Sequence, residues 1–111
     1  ASARLRVKGE EWVPVALKNI SISGAAILIA PREEAAIAGY VEAELELTLS
    51  EDWVHVLPTR IVQRRLEGGR TNCGMTFEWP ATASLVEVER QLRSWIQKEQ
   101  VRFRTDRLRS A

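Results

Sequence analysis

The sequence is poor in the residues that bind metals and form disulfides. Its 111 residues include one cysteine, one histidine and one methionine. The single cysteine, Cys73, excludes an internal disulfide and is typical of a protein from a reducing compartment. With only His55 and Cys73 available, a zinc site of the usual kind would need several carboxylates. We therefore expect no metal centre.

Long apolar runs are also missing. No stretch approaches the roughly 18 apolar residues that cross a bilayer. The N-terminus lacks the basic, apolar and small-residue zones of a secretory signal. These absences predict a cytoplasmic protein without a transmembrane segment. The chain starts at Ala1 rather than at a methionine, as a processed protein or a domain excised from a longer one would.

Recognisable catalytic motifs are absent from the sequence. Ser21 and Ser23 lack the Gly-x-Ser-x-Gly elbow of the serine hydrolases, and no Gly-x-x-x-x-Gly-Lys phosphate loop is present. His55 lies in an alternating run with no carboxylate or nucleophile at a recognised spacing. We predict that the protein is not an enzyme, with no catalytic residue and no cofactor.

The net charge gives little indication of a partner, although the charges are unevenly distributed. The formal net charge is +1, with an acidic middle between Glu33 and Asp52 and a basic segment beyond Arg90. Such a segment can contact nucleic acid or an acidic membrane, and it is also typical of a solvated helix face. Because the chain lacks an aromatic and arginine platform for single strands, we expect no nucleic-acid partner.

Alternating apolar residues predict strands throughout the first eighty residues. The predicted strand segments are 4–7, 12–18, 25–30, 41–49, 53–57, 60–66 and 73–79. Pro58 is expected to bend the chain between the fifth and sixth segments, and residues 31–39 to form a connection with one helical turn. Short strands at this spacing favour a small closed barrel or a sandwich.

A helix is predicted after the strands. Ser84 and Glu87 have the spacing of a capping box, in which each side chain satisfies a backbone donor near the helix start. Apolar residues then recur at three- and four-residue spacing, which predicts one apolar helical face. They are Leu85, Val88, Leu92, Trp95 and Ile96.

The pattern weakens beyond Gln100, where Phe103 and Leu108 lie among arginines. We expect the chain beyond Gln100 either to be frayed or to bind a protein partner. A homo-oligomer could also form through the helix. The sequence shows no internal repeat and no linker. We therefore predict a single domain of residues 1–111, with strands in 1–80 and the helix and basic tail in 81–111.

The most informative motif is the segment Asn19-Ile20-Ser21-Ile22-Ser23-Gly24. Side chains two apart in a strand project to the same face, so Asn19 and Ser21 are expected to stand together. Gly24 adds a position where another molecule can approach the backbone, or where φ can be positive. This group suits a polar ligand such as a nucleotide, although the same residues are also ordinary turn formers.

The order of these elements resembles the PilZ domain, a bacterial receptor for the second messenger cyclic di-GMP. Asn19, Ser21 and Gly24 match the family motif Asp/Asn-x-Ser-x-x-Gly in full. Gly74 and Phe77 match the Gly-x-x-Phe of its last strand, and a helix follows in both. The resemblance covers nearly the whole chain. It implies a mainly β protein, a six-stranded antiparallel barrel with a C-terminal α-helix.

The first motif of that family, Arg-x-x-x-Arg on a loop before the first strand, is absent from this chain. Guanidinium forks bind phosphate and the guanine edge bidentately, so this departure bears directly on the ligand. Arg4 and Arg6 are weak substitutes, because they are two apart and within a strand. The late hairpin could supply guanidiniums instead, with Arg64 as a further weak candidate beside Arg60, Arg65 and Arg70.

Two functions follow from the resemblance. In the first, the chain binds cyclic di-GMP through Asn19, Ser21 and Gly24 and relays the signal to a protein partner or a fused effector domain. The output would be exopolysaccharide synthesis, motility or virulence. In the second, the chain is a degenerate member that binds no nucleotide and serves as a protein-interaction or oligomerisation module.

Overall fold

The residues that the structure describes form six strands and two helices. A computed structural model describes residues 2–7, 9–35, 37, 39–79 and 83–110, with helix side chains described over 85–99. The elements are β1 (Ser2–Arg6), β2 (Val13–Ile20), β3 (Gly24–Ile29), α1 (Pro31–Glu34), β4 (Glu42–Ser50), β5 (Trp53–Glu67), β6 (Arg70–Phe77) and α2 (Ala83–Ser110). The chain divides into two compact units, 1–78 and 79–111.

The six strands close into an antiparallel barrel in the order β1-β2-β3-β6-β5-β4. Alternate residues of each strand enter the interior, as the period of two requires. Fully buried side chains from five strands and the connection fill it, namely Leu5, Ile27, Ile29, Ile37, Leu45, Leu47, Leu57 and Cys73. The predicted six-stranded barrel with a C-terminal helix is confirmed.

The chain departs from the prediction at β5. The segments 53–57 and 60–66 were expected to be separate, but β5 runs without a break from Trp53 to Glu67. Pro58 lies where the pairing with β6 ends, and its carbonyl accepts a hydrogen bond from the Glu78 N–H at 2.8 Å, just beyond the last paired residue of β6. The Pro58 nitrogen faces the same side and has no hydrogen to donate, so the proline removes one bond at the end of that ladder only. The strand continues through its pairing with β4, where Pro58 lies opposite Glu44.

One long strand thereby pairs with both of its neighbours. The first part of β5 pairs with β4 from Trp53 to Arg60, and the second part pairs with β6 from Thr59 to Glu67. Gly68 and Gly69, both with positive φ (58° and 79°), make the two-residue turn into β6. This is the geometry that a tight hairpin requires.

Bulges bend three of the strands. The register shifts at Lys18 in β2, at Leu49 in β4 and at Val62 in β5. An extra residue increases the local twist and reverses which positions face inward. The bulges in β2 and β5 therefore decide which side chains reach the outer surface beside the motif.

The C-terminal unit is the helix α2. Val88 and Leu92 are its buried positions, and ion pairs of Glu87 with Arg90 and of Glu89 with Arg93 link successive turns of the helix. The predicted cap at Ser84, together with Phe103 and Leu108, lies outside the described side chains. No described helix combines the length and low charge needed to span a bilayer.

Candidate functional site

The motif forms the turn between β2 and β3. The Ser21 N–H donates to the Gly24 carbonyl at 2.8 Å, which closes the turn. The Ser21 and Ser23 hydroxyl oxygens lie 3.0 Å apart, and both side chains are exposed. The Ser23 carbonyl accepts a hydrogen bond from the Phe77 N–H at 2.9 Å, which ties the turn to β6. The Ser21 hydroxyl is thus held at a fixed place on the surface.

The bulge at Lys18 turns Asn19 outward. Before the bulge, Val13, Val15 and Leu17 are the more buried positions of β2, and after it the more buried position is Ile20. Without the extra residue, Asn19 would continue the inward series. With it, Asn19 is exposed, and its side chain forms no hydrogen bond to another described residue. The donors and the acceptor of the Asn19 amide are therefore available at the surface.

Gly24 is required by the barrel itself. A Cβ at this position would lie 2.0 Å from the Met75 carbonyl oxygen of β6, and its φ is not positive. Strand β6 therefore takes up the space that a side chain would need. The motif glycine permits a close approach of two strands, and this accounts for its presence without any ligand.

A floor of small side chains extends from Asn19 across the barrel wall. Register pairs Asn19 with Ala26 in β3, Ala26 with Gly74 in β6, and Gly74 with Gln63 in β5. Ala26 and Gly74, here termed the small-residue floor, alternate with buried neighbours and so face outward. Strand spacing puts the β2 and β5 backbones about 14 Å apart across it. The sequence did not reveal this row, because it depends on the pairing of β3 with β6.

A salt bridge lies beside the floor. The Lys18 ammonium contacts the two Glu67 carboxylate oxygens at 2.8 and 2.9 Å, although β3 and β6 separate their strands. The Asn72 side-chain N–H donates to Glu67 at 2.6 Å, and Asn72 is only 8% exposed. Lys18 and Asn72 together hold the pKa of Glu67 below its usual value. We call this group the Lys18–Glu67 bridge.

Arg4 and Arg6 lie away from the motif. Arg4 forms a bidentate pair with Glu46 at 2.8 and 2.7 Å, and Arg6 contacts Glu44 at 2.9 Å. Both guanidiniums also face the Trp12 ring, at 5.3 and 4.3 Å from its centroid. The Arg4 hydrogen bonds lower the pKa of Glu46. Both arginines are thus engaged on the β1–β4 surface.

Arg4 and Arg6 are also separated from the motif residues by distance along the strands. Arg4 pairs with Pro14, five residues before Asn19 on β2. At about 3.4 Å per residue, this offset is about 17 Å along the strand. The structure does not bring Arg4 or Arg6 together with Asn19 and Ser21.

Arg64 faces the other side of the sheet. It pairs with Cys73, whose side chain is fully buried, so it lies on the inner face. Its guanidinium donates to the carbonyls of Ile37, at 3.1 Å, and Tyr40. Burial raises the pKa of the neighbouring Cys73 thiol. Arg64 thereby fastens the connection before β4 and does not face Ser21.

The outer face has two other arginines on β5. Arg60 pairs with Thr76 and Arg65 with Asn72, both at outward positions of β6. Neither the Arg60 nor the Arg65 guanidinium forms an ion pair with any carboxylate that the structure describes. They flank the small-residue floor on the side opposite Asn19. Within the same part of the chain, no three acidic, histidine or cysteine side chains are grouped as metal ligands.

Comparison with known proteins identifies one family. A family model described as the PilZ domain matches residues 1–98. No curated protein and no solved structure matches the chain. The matched residues include all six strands and the beginning of α2, and hence the motif, the floor and the Lys18–Glu67 bridge.

Proposed function

The chain belongs to the PilZ domain family, and from this we propose that it is a receptor module for cyclic di-GMP. The family is one of binding modules rather than catalysts. The observation that carries the proposal is the outward placement of Asn19 and Ser21 beside a floor of small side chains. Ala26 and Gly74 leave the backbone of β3 and β6 open to a flat ligand, as two nucleobases are.

Each motif side chain has a role suited to its chemistry. The Asn19 amide offers donors and an acceptor, which suit the edge of a guanine or a phosphate oxygen. The Ser21 hydroxyl lies 3.0 Å from the Ser23 hydroxyl and 3.4 Å from the Gly24 carbonyl, to which it donates, and its oxygen keeps a lone pair for a donor group of the ligand. Gly24 contributes indirectly, because it allows β6 to lie close enough to complete the floor.

Arg60 and Arg65 supply positive charge for the two phosphates. Guanidinium forks bind phosphate bidentately and stack on bases. Both side chains are exposed on the outer face and lack ion-pair partners among the described residues. An arginine motif upstream of the first strand would add to them. Ligand binding would then order this face and pass the signal to a partner domain or protein, as binding-coupled reorganisation does.

Titration calorimetry with cyclic di-GMP tests the proposal. We expect saturable binding by the chain, and a loss of affinity of about tenfold in Asn19→Ala and in Ser21→Ala, because each removes a hydrogen bond to a charged or polar ligand group. Ser50→Ala, at the far end of β4, is the matched control and should bind as the wild type does. Cyclic di-AMP should bind more weakly, since it lacks the guanine edge.

Absence of any heat of binding with cyclic di-GMP, in a sample whose circular dichroism shows a folded β protein, would overturn the proposal. Equal affinities of the wild type and both motif variants would move the site elsewhere on the barrel.

A further inference from the structure

The cation closest in sequence to the motif is held in an internal ion pair. Lys18 immediately precedes Asn19, and both side chains are exposed on the outer surface. The Lys18 ammonium contacts Glu67 through both carboxylate oxygens, at 2.8 and 2.9 Å. The Lys18 ammonium, next to the Asn19 amide that is proposed to face the ligand, is therefore already paired with the Glu67 carboxylate.

Glu67 reaches Lys18 from the far side of the floor. It is the last residue of β5, directly before the Gly68–Gly69 turn. Its carboxylate also accepts the Asn72 hydrogen bond at 2.6 Å, and Asn72 is only 8% exposed although it lies at an outward position of β6. The Glu67 carboxylate thus accepts hydrogen bonds from Lys18 on β2 and from Asn72 on β6. Its side chain extends over the cross-strand row of residues that lies next to the small-residue floor.

Carboxylate and phosphate oxygens compete for the same ammonium donors. We propose, on the basis of the proposed function, that Lys18 is a phosphate-binding residue of the dinucleotide site. Glu67 pairs with Lys18 until a ligand phosphate displaces the carboxylate. The bridge is partly exposed, with 36% and 43% of its two side chains accessible. Exposed ion pairs are weak, so displacement lowers the apparent affinity only severalfold.

Displacement also gives the site a way to transmit binding. Once Glu67 leaves Lys18, the end of β5 loses this salt bridge to β2, directly before the Gly68–Gly69 turn. Asn72 then loses its acceptor or follows Glu67. The ligand at the motif is thereby coupled to the tip of the β5–β6 hairpin.

A double-mutant cycle, titrated with cyclic di-GMP, tests the inference. Glu67→Gln removes the competing charge and should tighten binding by about two- to fivefold, the range expected for release of an exposed pair. Lys18→Met should weaken binding by about tenfold, because a hydrogen bond to a charged group is lost. In the Lys18→Met background, Glu67→Gln should give no further gain.

The cycle separates displacement from simple repulsion. If Glu67→Gln tightens binding equally with and without Lys18, the carboxylate only repels the ligand and the inference is wrong. It is also wrong if Glu67→Gln leaves the affinity unchanged. Glu46→Gln, which removes a carboxylate from the Arg4 pair on another face, is the matched control and should not change the affinity.

A second readout is independent of affinity. In ¹⁵N-correlated NMR spectra, the Asn72 side-chain amide signals should shift when cyclic di-GMP is added to the wild type. In Glu67→Gln they should shift much less, because the contact is already altered. Failure of the wild type and of Glu67→Gln to bind refutes the proposed function itself, whereas binding with unmoved Asn72 signals refutes only the displacement of Glu67.

Discussion

At the scale of single residues, two glycines of the barrel wall serve different purposes. Gly24 lies where the Met75 carbonyl would be only 2.0 Å from an added Cβ. Gly74 lies where the nearest contact of an added Cβ would be Gln63 at 3.6 Å, an ordinary van der Waals distance. Gly24 is thus demanded by strand packing, whereas Gly74 keeps the floor low.

This difference gives a prediction about stability and binding. Gly24→Ala should lower the free energy of unfolding by about 2–3 kcal/mol, because backbone on both strands must shift to relieve the clash. Gly74→Ala should unfold within about 1 kcal/mol of the wild type, and on the stabilising side, since alanine loses less backbone entropy. Urea unfolding midpoints measure both effects.

The same two variants should differ in ligand binding. The new methyl group of Gly74→Ala stands on the floor between Asn19 and Gln63, so its affinity for cyclic di-GMP should fall although the fold is intact. A destabilised Gly74→Ala with normal affinity would contradict the assignment of the floor.

The motif residues could be predicted from the sequence, and their orientation could not. Asn19, Ser21 and Gly24 stand out by residue type and spacing. Their outward placement depends on the extra residue at Lys18, because an unbulged strand would send Asn19 inward with Leu17. Nothing local in the sequence marks Lys18 as the bulge.

At the scale of elements, β5 distributes its arginines between two faces. The bulge at Val62 changes the phase of the strand, so Arg64 pairs with buried Cys73 while Arg65 pairs with outward Asn72. Two adjacent residues of one type therefore have different roles. Arg64 holds the carbonyls of the connection before β4, whereas Arg65 is exposed and forms no ion pair with a described residue.

Substitution of each arginine by methionine tests that division. Arg64→Met should lower the free energy of unfolding by about 1–3 kcal/mol, because two backbone carbonyls lose a charged donor, and should leave the affinity for cyclic di-GMP unchanged. Arg65→Met should do the opposite, with normal stability and weaker binding. Denaturant unfolding and calorimetry report the two quantities separately, and a reversed pattern would contradict the register argument.

The alternation of apolar residues predicted the strands, but it did not show that the predicted segments 53–57 and 60–66 form one continuous strand, β5. Pro58 indicates a break when it is considered alone. In the barrel its nitrogen faces the end of β6, where a single terminal ladder bond is lost, and the pairing of β5 with β4 continues past it. Pairing partners decide whether a proline interrupts a strand, and local sequence does not contain them.

At the scale of the whole molecule, barrel closure brings the residues of the proposed site together. Strands β2 and β5 are distant in the chain but lie on either side of β3 and β6. This order brings Lys18 and Glu67, 49 residues apart, into contact. It also aligns Asn19, Ala26, Gly74 and Gln63 in one row. Residue types and spacing singled out the motif and the family resemblance predicted the six-stranded barrel, but the floor and the bridge required the register of four strands.

The opposite part of the wall shows what a closed surface looks like. There Arg4 and Arg6 are paired with Glu46 and Glu44 and face the Trp12 ring. Their charges are balanced by neighbouring carboxylates on the outer surface of the barrel. The two surfaces of one barrel therefore provide the proposed site and an internal reference for it.

Mapping of cyclic di-GMP onto the barrel by ¹H–¹⁵N NMR tests the central claim most directly. We predict that the backbone amides of Asn19, Ser21, Ala26 and Gly74 shift on titration, while those of Glu44 and Glu46 stay in place. Shifts centred on the β1–β4 surface, or none at any ligand concentration, would contradict the account.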